Sequence, residues 1–371
     1  MQRTISIRIK TKKEHLPRLF PLQDAYHDAC NDLVPYVIEH RCWNRVALHN
    51  LAYSKIRKDS PLGSQMVCNA IFSVCKAYKN RGIVKNEEVP VIKFHKNRSI
   101  HFDKRTYSIK GNILSLYTLE GRIKIEMEMG PFQESYFSQG IPKEAELIYK
   151  KGRWYFNLVL DLPDPPLTEN KTVIGVDLGE NVIAAMSSGE MFDGGKVRHQ
   201  RDKFLAKRRK LQSNGSQSAK QLLKKISGKE ARRIKQINHE VSKKIVQEAV
   251  KQNAGVIVLE DLKNIRKRIK GKKRMRTRLH RWAFSQLQFQ IEYKAENRGL
   301  RVIYVNPAYT SQTCSHCGLP GVRQRNTFKC SCGNQQHSDL NASRNLCRFA
   351  QSLDNATCTV NCTQVAALLK S

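Results

Sequence analysis

The stretch Val173-Ile174-Gly175-Val176-Asp177-Leu178-Gly179 decides how this chain reads. Val173, Ile174 and Val176 are β-prone and form a short buried strand that ends on a carboxylate. Leu178 to Asn181 turn, and a second apolar run follows from Val182 to Met186. The pair predicts a hairpin with Asp177 facing outward at the tip of its first strand. Taken singly, Asp177 is an ordinary turn acid. It gains meaning only if other acids converge on it.

Two others can. Glu260 ends the apolar run Val256-Ile257-Val258-Leu259, and Asp339 opens Asp339-Leu340-Asn341-Ala342. Ser338 is placed to cap a helix there, which sets Asp339 in a rigid first turn. An acid in that position also simply suits the helix dipole. Asp261 is expected on the opposite side of its strand, in a structural role.

Downstream of the first acid the charge is extreme. The chain has 371 residues with 66 Lys and Arg against 32 acids, a formal charge of +34. From Arg198 to Arg281 there are 28 basic and 6 acidic residues. A charge this large repels itself on folding, so a polyanionic partner is expected. Ile234, Ile237, Val241, Ile245 and Ala249 give the stretch a long amphipathic helix. Arg208, Arg209, Lys210, Arg232, Arg233, Arg266, Lys267 and Arg268 are its candidate nucleic-acid contacts; the alternative is a set of solvated helix faces. A helix over Trp282 to Arg298, stopped by Gly299, and a strand over Arg301 to Val305 follow. Strand hairpin, helix, acid-tipped strand, helix, strand is the order of an RNase H-like fold with a mixed sheet.

Cys314-Ser315-His316-Cys317 and, 12 residues on, Cys330-Ser331-Cys332 form a zinc-ribbon pattern. Four thiolates at this spacing fold around one Zn²⁺ and leave no open position, so the ion is structural. The second pair is one residue tighter than usual, and His316 or His337 is an alternative ligand. The other seven of the 11 cysteines have no partner spacing and read as ordinary thiols.

Upstream, Ile5, Ile7 and Ile9 alternate with polar residues in an opening strand. Helical spacing takes over from Leu16 to about Tyr78, with a kink or break expected at Pro35. A second helix fits Trp43 to Ile56, and a third starts near Leu62. Alternation returns over Ile100 to Leu162, with a hairpin turning at Lys151-Gly152, and suggests an antiparallel barrel or sandwich with the helices inserted. Pro163, Pro165 and Pro166 mark a linker. No apolar run approaches the roughly 20 residues of a membrane span, and Met1 to Lys13 lack a signal-peptide core. A cytoplasmic, reducing setting is therefore expected, with no membrane partner.

Gly175-Val176-Asp177-Leu178-Gly179, Leu259-Glu260-Asp261-Leu262, the ribbon and Asp339-Leu340-Asn341-Ala342-Ser343-Arg344-Asn345 occur in the order and approximate spacing of TnpB. The chain thus resembles that transposon-encoded, RNA-guided nuclease family, which is related to compact type V CRISPR effectors. The resemblance covers about residues 171 to 348; the N-terminal half matches in layout only. It implies a multidomain α+β protein. A wedge-like β-barrel would take 1–10 and 91–166, with a helical recognition insertion at 11–90. A RuvC-like nuclease domain would take 171–310 and 337–371, with the zinc ribbon at 311–336. It further implies a prokaryotic enzyme that cuts double-stranded DNA chosen by a transposon-derived guide RNA, beside a short motif read by the N-terminal domains. The departures are the C-x-C pair and a polar tail after Phe349.

Three convergent carboxylates repel each other when empty and call for hard divalent cations. Two Mg²⁺ ions suit them, with Asp177 bridging and Glu260 and Asp339 completing the shells, a division the resemblance supplies. Two other functions remain in competition. One is a repressor of the same fold with a dead site, which intact acids at all three positions disfavour. The other is a strand-transfer transposase, which the ribbon between the second and third acids disfavours.

Overall fold

A strand that opens the chain becomes an inner strand of the first sheet. In the computed structural model, β1 (Gln2–Ile9) buries Ile5, Ile7 and Ile9 and pairs with strands more than a hundred residues away. The structure describes residues 1–84, 87–96, 98–262, 284–306 and 311–354, and divides into Met1–Asp164 and Pro165–Ser371. Arg266, Lys267, Arg268, the start of the helix expected from Trp282 and the tail from residue 355 lie outside the described residues.

In the first unit, α1 (Leu16–His40), α2 (Arg45–Asp59) and α3 (Ser64–Lys79) lie between β1 and β2 (Ile100–Phe102). Then come β3 (Tyr107–Lys110), β4 (Ile113–Thr118), β5 (Gly121–Glu128), α4 (Pro131–Phe137), β6 (Ile141–Lys150) and β7 (Arg153–Asp161). The seven strands are ordered β2-β6-β7-β1-β5-β4-β3, and every pairing is antiparallel. Near the two ends of the sheet, the Tyr107 hydroxyl on β3 donates to the Lys143 carbonyl on β6 at 3.2 Å, so the sheet is nearly closed. Lys151 (φ 53) and Gly152 (φ 77) take the two left-handed positions that a tight β6–β7 hairpin requires. Asn44 caps α2 by accepting from the Val46 and Ala47 amides at 3.0 and 3.2 Å. Of the kink or break expected at Pro35, the break does not occur: α1 continues to His40. Leu33, Val34 and Val37 are buried across that point, and this packing outweighs the one helical hydrogen bond a proline removes.

The second unit starts with β8 (Val173–Asp177), β9 (Val182–Met186) and β10 (Met191–Asp193). Two basic helices follow, α5 (Gly195–Asn214) and α6 (Gln217–Lys251), then β11 (Val256–Glu260), α7 (Phe284–Glu296) and β12 (Arg301–Val305). The five-stranded sheet is ordered β10-β9-β8-β11-β12; β8, β11 and β12 are parallel, and β9 and β10 run against them. Val256 to Leu259 are buried without alternation, because helices cover both faces of this central strand. Ile174, Val176, Ile257 and Leu259 meet Val241 and Ile245 of α6 and Leu287 and Ile291 of α7. On the other face, Val256 and Val258 meet Leu346 and Ala350 of α8 (Ser338–Asp354). Gly175 makes that second face possible. A Cβ there would lie 2.0 Å from the Ser343 carbonyl oxygen, so only glycine lets α8 sit this close to β8. Before α8, β13 (Val322–Gln324), β14 (Thr327–Lys329) and β15 (Gln335–His337) form a small antiparallel sheet around buried Phe328. Among the described residues, no helix is long and apolar enough to cross a membrane.

Candidate active site and metal centre

Parallel pairing puts the first two acids side by side. Val176 on β8 is in register with Leu259 on β11, so Asp177 and Glu260 leave the sheet as the next residue of each strand. Asp339 reaches the same end from the first turn of α8; a Cβ at Gly179 in the β8–β9 turn would lie 4.0 Å from its Oδ2. Burial, then the charges of Glu260 and Asp339, push the Asp177 carboxyl well above the usual carboxylate range, while Arg323 and the Leu178 amide pull the other way. The backbone of Asp261 continues the β11–β12 ladder, its amide donating to the Val305 carbonyl at 2.7 Å.

The sequence reading missed the groups that hold these acids. Arg323 on β13 pairs with Asp339 at 3.0 Å. Gln288 on α7 donates to the Glu260 carbonyl at 2.8 Å. The Asp339 amide donates to Nδ1 of His337 at 3.3 Å. Ser338 does not cap α8 as expected; it falls inside the helix, and its hydroxyl turns to the Asp339 carboxylate at 3.4 Å. Nothing in the spacing singles out Arg323 or Gln288, because each depends on tertiary packing alone. A cavity of about 410 Å³ opens nearby, lined in part by Asn181, Arg198, Asn326 and His337.

The thiols of Cys314, Cys317, Cys330 and Cys332 all lie within 4.8 Å of one another. Neither His316 nor His337 is in that cluster, and Nδ1 of His337 is already engaged by Asp339. Burial raises the Cys314 thiol, but the Cys317 amide, the Asn334 side chain, the His316 amide and Cys332 together bring it down to about 6. The amide of Cys332 lowers the Cys330 thiol. The Asn334 amide favours the thiolate of Cys332, yet the surrounding thiols push it up to about 12. Two thiolates are stabilised and a third is opposed by its neighbours, as expected of sulfurs arranged to share a cation. The donor set fits a metal ion such as zinc.

Of the basic candidates, Arg209, Lys210, Arg232 and Arg233 are exposed. Arg208 is not free: it pairs with Glu230 at 3.4 Å and donates to Ser227 at 3.0 Å, tying α5 to α6.

Two family models match the chain. One, described as a probable transposase, covers residues 157–266, and one for the Cas12f1-like TNB domain covers 284–346. A TnpB-like protein of Methanocaldococcus jannaschii is 45% identical over 127 residues, 33% of this chain and 45% of that protein. The resemblance to TnpB holds. A protein of Escherichia coli named as putative RNA-guided DNA endonuclease InsQ is 26% identical over 365 residues, 89% of this chain and 84% of that one. The chain spans about half the length of the curated relatives it matches at higher identity. The cryo-EM structure of a Cas12f1-sgRNA-target DNA complex superposes with a TM-score of 0.66 at 15% identity, covering 94% of this chain and 98% of that one, which shows a shared fold.

Proposed function

We propose that this protein is an RNA-guided DNA endonuclease, encoded by an insertion sequence, that hydrolyses phosphodiester bonds at a RuvC-like site made of Asp177, Glu260 and Asp339. The observation that carries the reading is the convergence of the three acids. They come from three elements far apart in sequence, and Glu260 and Asp339 together disfavour the charge on Asp177. Carboxylates held in mutual repulsion suit hard divalent cations with oxygen ligands. Two Mg²⁺ ions, when bound, would activate a water and stabilise the leaving 3′-oxygen. The chain's own part is to fix the ligands. Asp177 stands between the other two, Gln288 holds the backbone of Glu260, and Arg323 holds Asp339 until a cation takes its place.

In this reading the four thiols bind one Zn²⁺ that shapes the ribbon. The exposed Arg209, Lys210, Arg232 and Arg233 track phosphates of guide RNA and double-stranded target DNA. The N-terminal unit, as a wedge-like barrel with a helical insertion, reads the short adjacent motif. The names of the relatives support this assignment. Cleavage by purified protein, with and without its co-purified RNA and with and without Mg²⁺, tests it. Cutting that needs both RNA and metal is expected. Guided binding without cutting would make the protein a repressor, and joining of DNA ends would make it a strand-transfer enzyme.

A further inference from the structure

Asn341 lies two residues past Asp339 in α8 and is completely buried. Its side chain faces the thiol centre. Nδ2 donates to the Thr313 carbonyl at 2.7 Å, and Oδ1 accepts the Ser315 amide at 2.9 Å. Gln336 joins the same oxygen at 2.9 Å. One turn further along α8, Asn345 donates to the Thr313 carbonyl at 2.7 Å, and Arg348 donates to the Cys314 and Ser315 carbonyls at 3.1 and 3.3 Å. Positions 341, 345 and 348 share one helical face, and that face grips the backbone on both sides of Cys314. The ribbon grips back through Arg323 and His337, which hold the side chain and the amide of Asp339.

We propose that Asn341 is a positioning residue that couples the thiol metal site to the Asp339 carboxylate, so that filling either site tightens the other. A cation on the thiols fixes the knuckle backbone at Thr313 and Ser315. Without it the thiolates repel, and any shift of the knuckle costs the buried Asn341 amide its Thr313 and Ser315 partners, leaving Nδ2 unsatisfied and Oδ1 with Gln336 alone, a costly state. The first turn of α8 then relaxes together with Asp339. Coupling of this kind is reciprocal by linkage and is typically about 5- to 150-fold.

The inference rests on the proposed function only in requiring that the carboxylates bind a divalent cation. The test uses full-length protein with Co²⁺ in the thiol site, read by thiolate-to-cobalt absorption in competition with a chelator. A second reading follows Mn²⁺ binding by electron paramagnetic resonance. Saturating Mg²⁺ is expected to tighten Co²⁺ at least about fivefold, and stripping the thiol metal to weaken Mn²⁺ by the same factor. In N341A both metals should still bind, with the coupling gone. N345A removes one bond to Thr313 and covers the case in which N341A does not fold; it should at least halve the coupling. Both metals binding independently in the wild type, or full coupling surviving in either variant, would overturn the proposal alone. Absence of Mn²⁺ binding would overturn the proposed nuclease site, and this inference with it.

Discussion

The two centres of the C-terminal unit are built in opposite ways. The four thiols come from a short run, Cys314 to Cys332, and their spacing alone brings them within 4.8 Å. The three carboxylates are spread from Asp177 to Asp339 and meet only because β8 and β11 run parallel and α8 packs under them. The first centre is local chemistry, which a motif reveals. The second is a product of topology, and it fails wherever the topology fails. The two are joined, because one ribbon supplies the thiols and also the Arg323 that pairs with Asp339. Removing either centre therefore asks whether they are separable.

The largest effect is expected at the carboxylates. D177A, E260A and D339A should each lower cleavage by roughly 10²–10³-fold or more, the scale of losing a principal electrostatic contributor. Guided DNA binding should stay close to wild type, because none of the three lies on the basic helices. A filter-binding and cleavage pair of assays checks this, and near-normal cutting by one variant would remove that residue from the site.

The thiol centre comes next. Purified protein should hold about one zinc per chain, and C314S or C330S should release it and unfold the ribbon locally. If the two centres were independent, a ribbon variant would keep its carboxylate metal affinity. Metal analysis that finds active protein free of zinc would end the structural-zinc reading.

Gly175 tests the packing that brings the centres together. G175A forces a Cβ against the Ser343 carbonyl, where the free space ends at 2.0 Å. Backbone on backbone cannot rotate away, so a loss of about 1–3 kcal/mol or more is expected, seen as a lower melting temperature. An unchanged melting temperature would mean that α8 moves off β8 more easily than its packing indicates.

This contrast also explains what the sequence made legible. Ile5, Ile7 and Ile9, and the run from Trp154 to Leu160, alternate because one face of an antiparallel sheet is buried, and that pattern is visible residue by residue. Asp177, Glu260 and Asp339 stood out because each ends or opens a recognisable element. Arg323, Gln288 and Asn341 did not, because a long-range hydrogen bond leaves no period in the chain. At Pro35 the sequence left a kink or a break open for the same reason: its local preference is plain, while the packing that carries the helix through comes from residues elsewhere.

The N-terminal unit has a titratable weak point of its own, at a histidine. His101 is buried beside Phe72, with Glu144 at 3.7 Å; burial, then Lys76, hold its imidazolium down to a pKa of about 4 against an ordinary 6.5, with Asp103 opposing and Arg45 adding to the effect. A folded value below the unfolded one means that the neutral ring's contribution is complete above about pH 6.5 and is lost as pH falls toward 4. Between about pH 7 and 5 the cost is about 2 kcal/mol. The urea midpoint of wild type should therefore fall more steeply over that range than that of H101N. Parallel curves would assign the acid sensitivity elsewhere.

The smallest effects are expected on the basic helices, where two neighbours behave differently. Arg208 and Arg209 are adjacent, yet only Arg208 is committed to Glu230 and Ser227. Reversing Arg209, Lys210, Arg232 or Arg233 removes an exposed charge. If that charge sits on a phosphate, the slope of log affinity against log salt should flatten by about one unit for each phosphate no longer neutralised, equally for all sequences. Reversing Arg208 instead sets a carboxylate against Glu230, so its main effect should be on the α5–α6 pairing and on stability. A salt series on R209E and R208E, run beside their melting curves, separates the roles. An unchanged slope in R209E, together with an unchanged melting temperature in R208E, would reduce both residues to charge that keeps the protein dissolved.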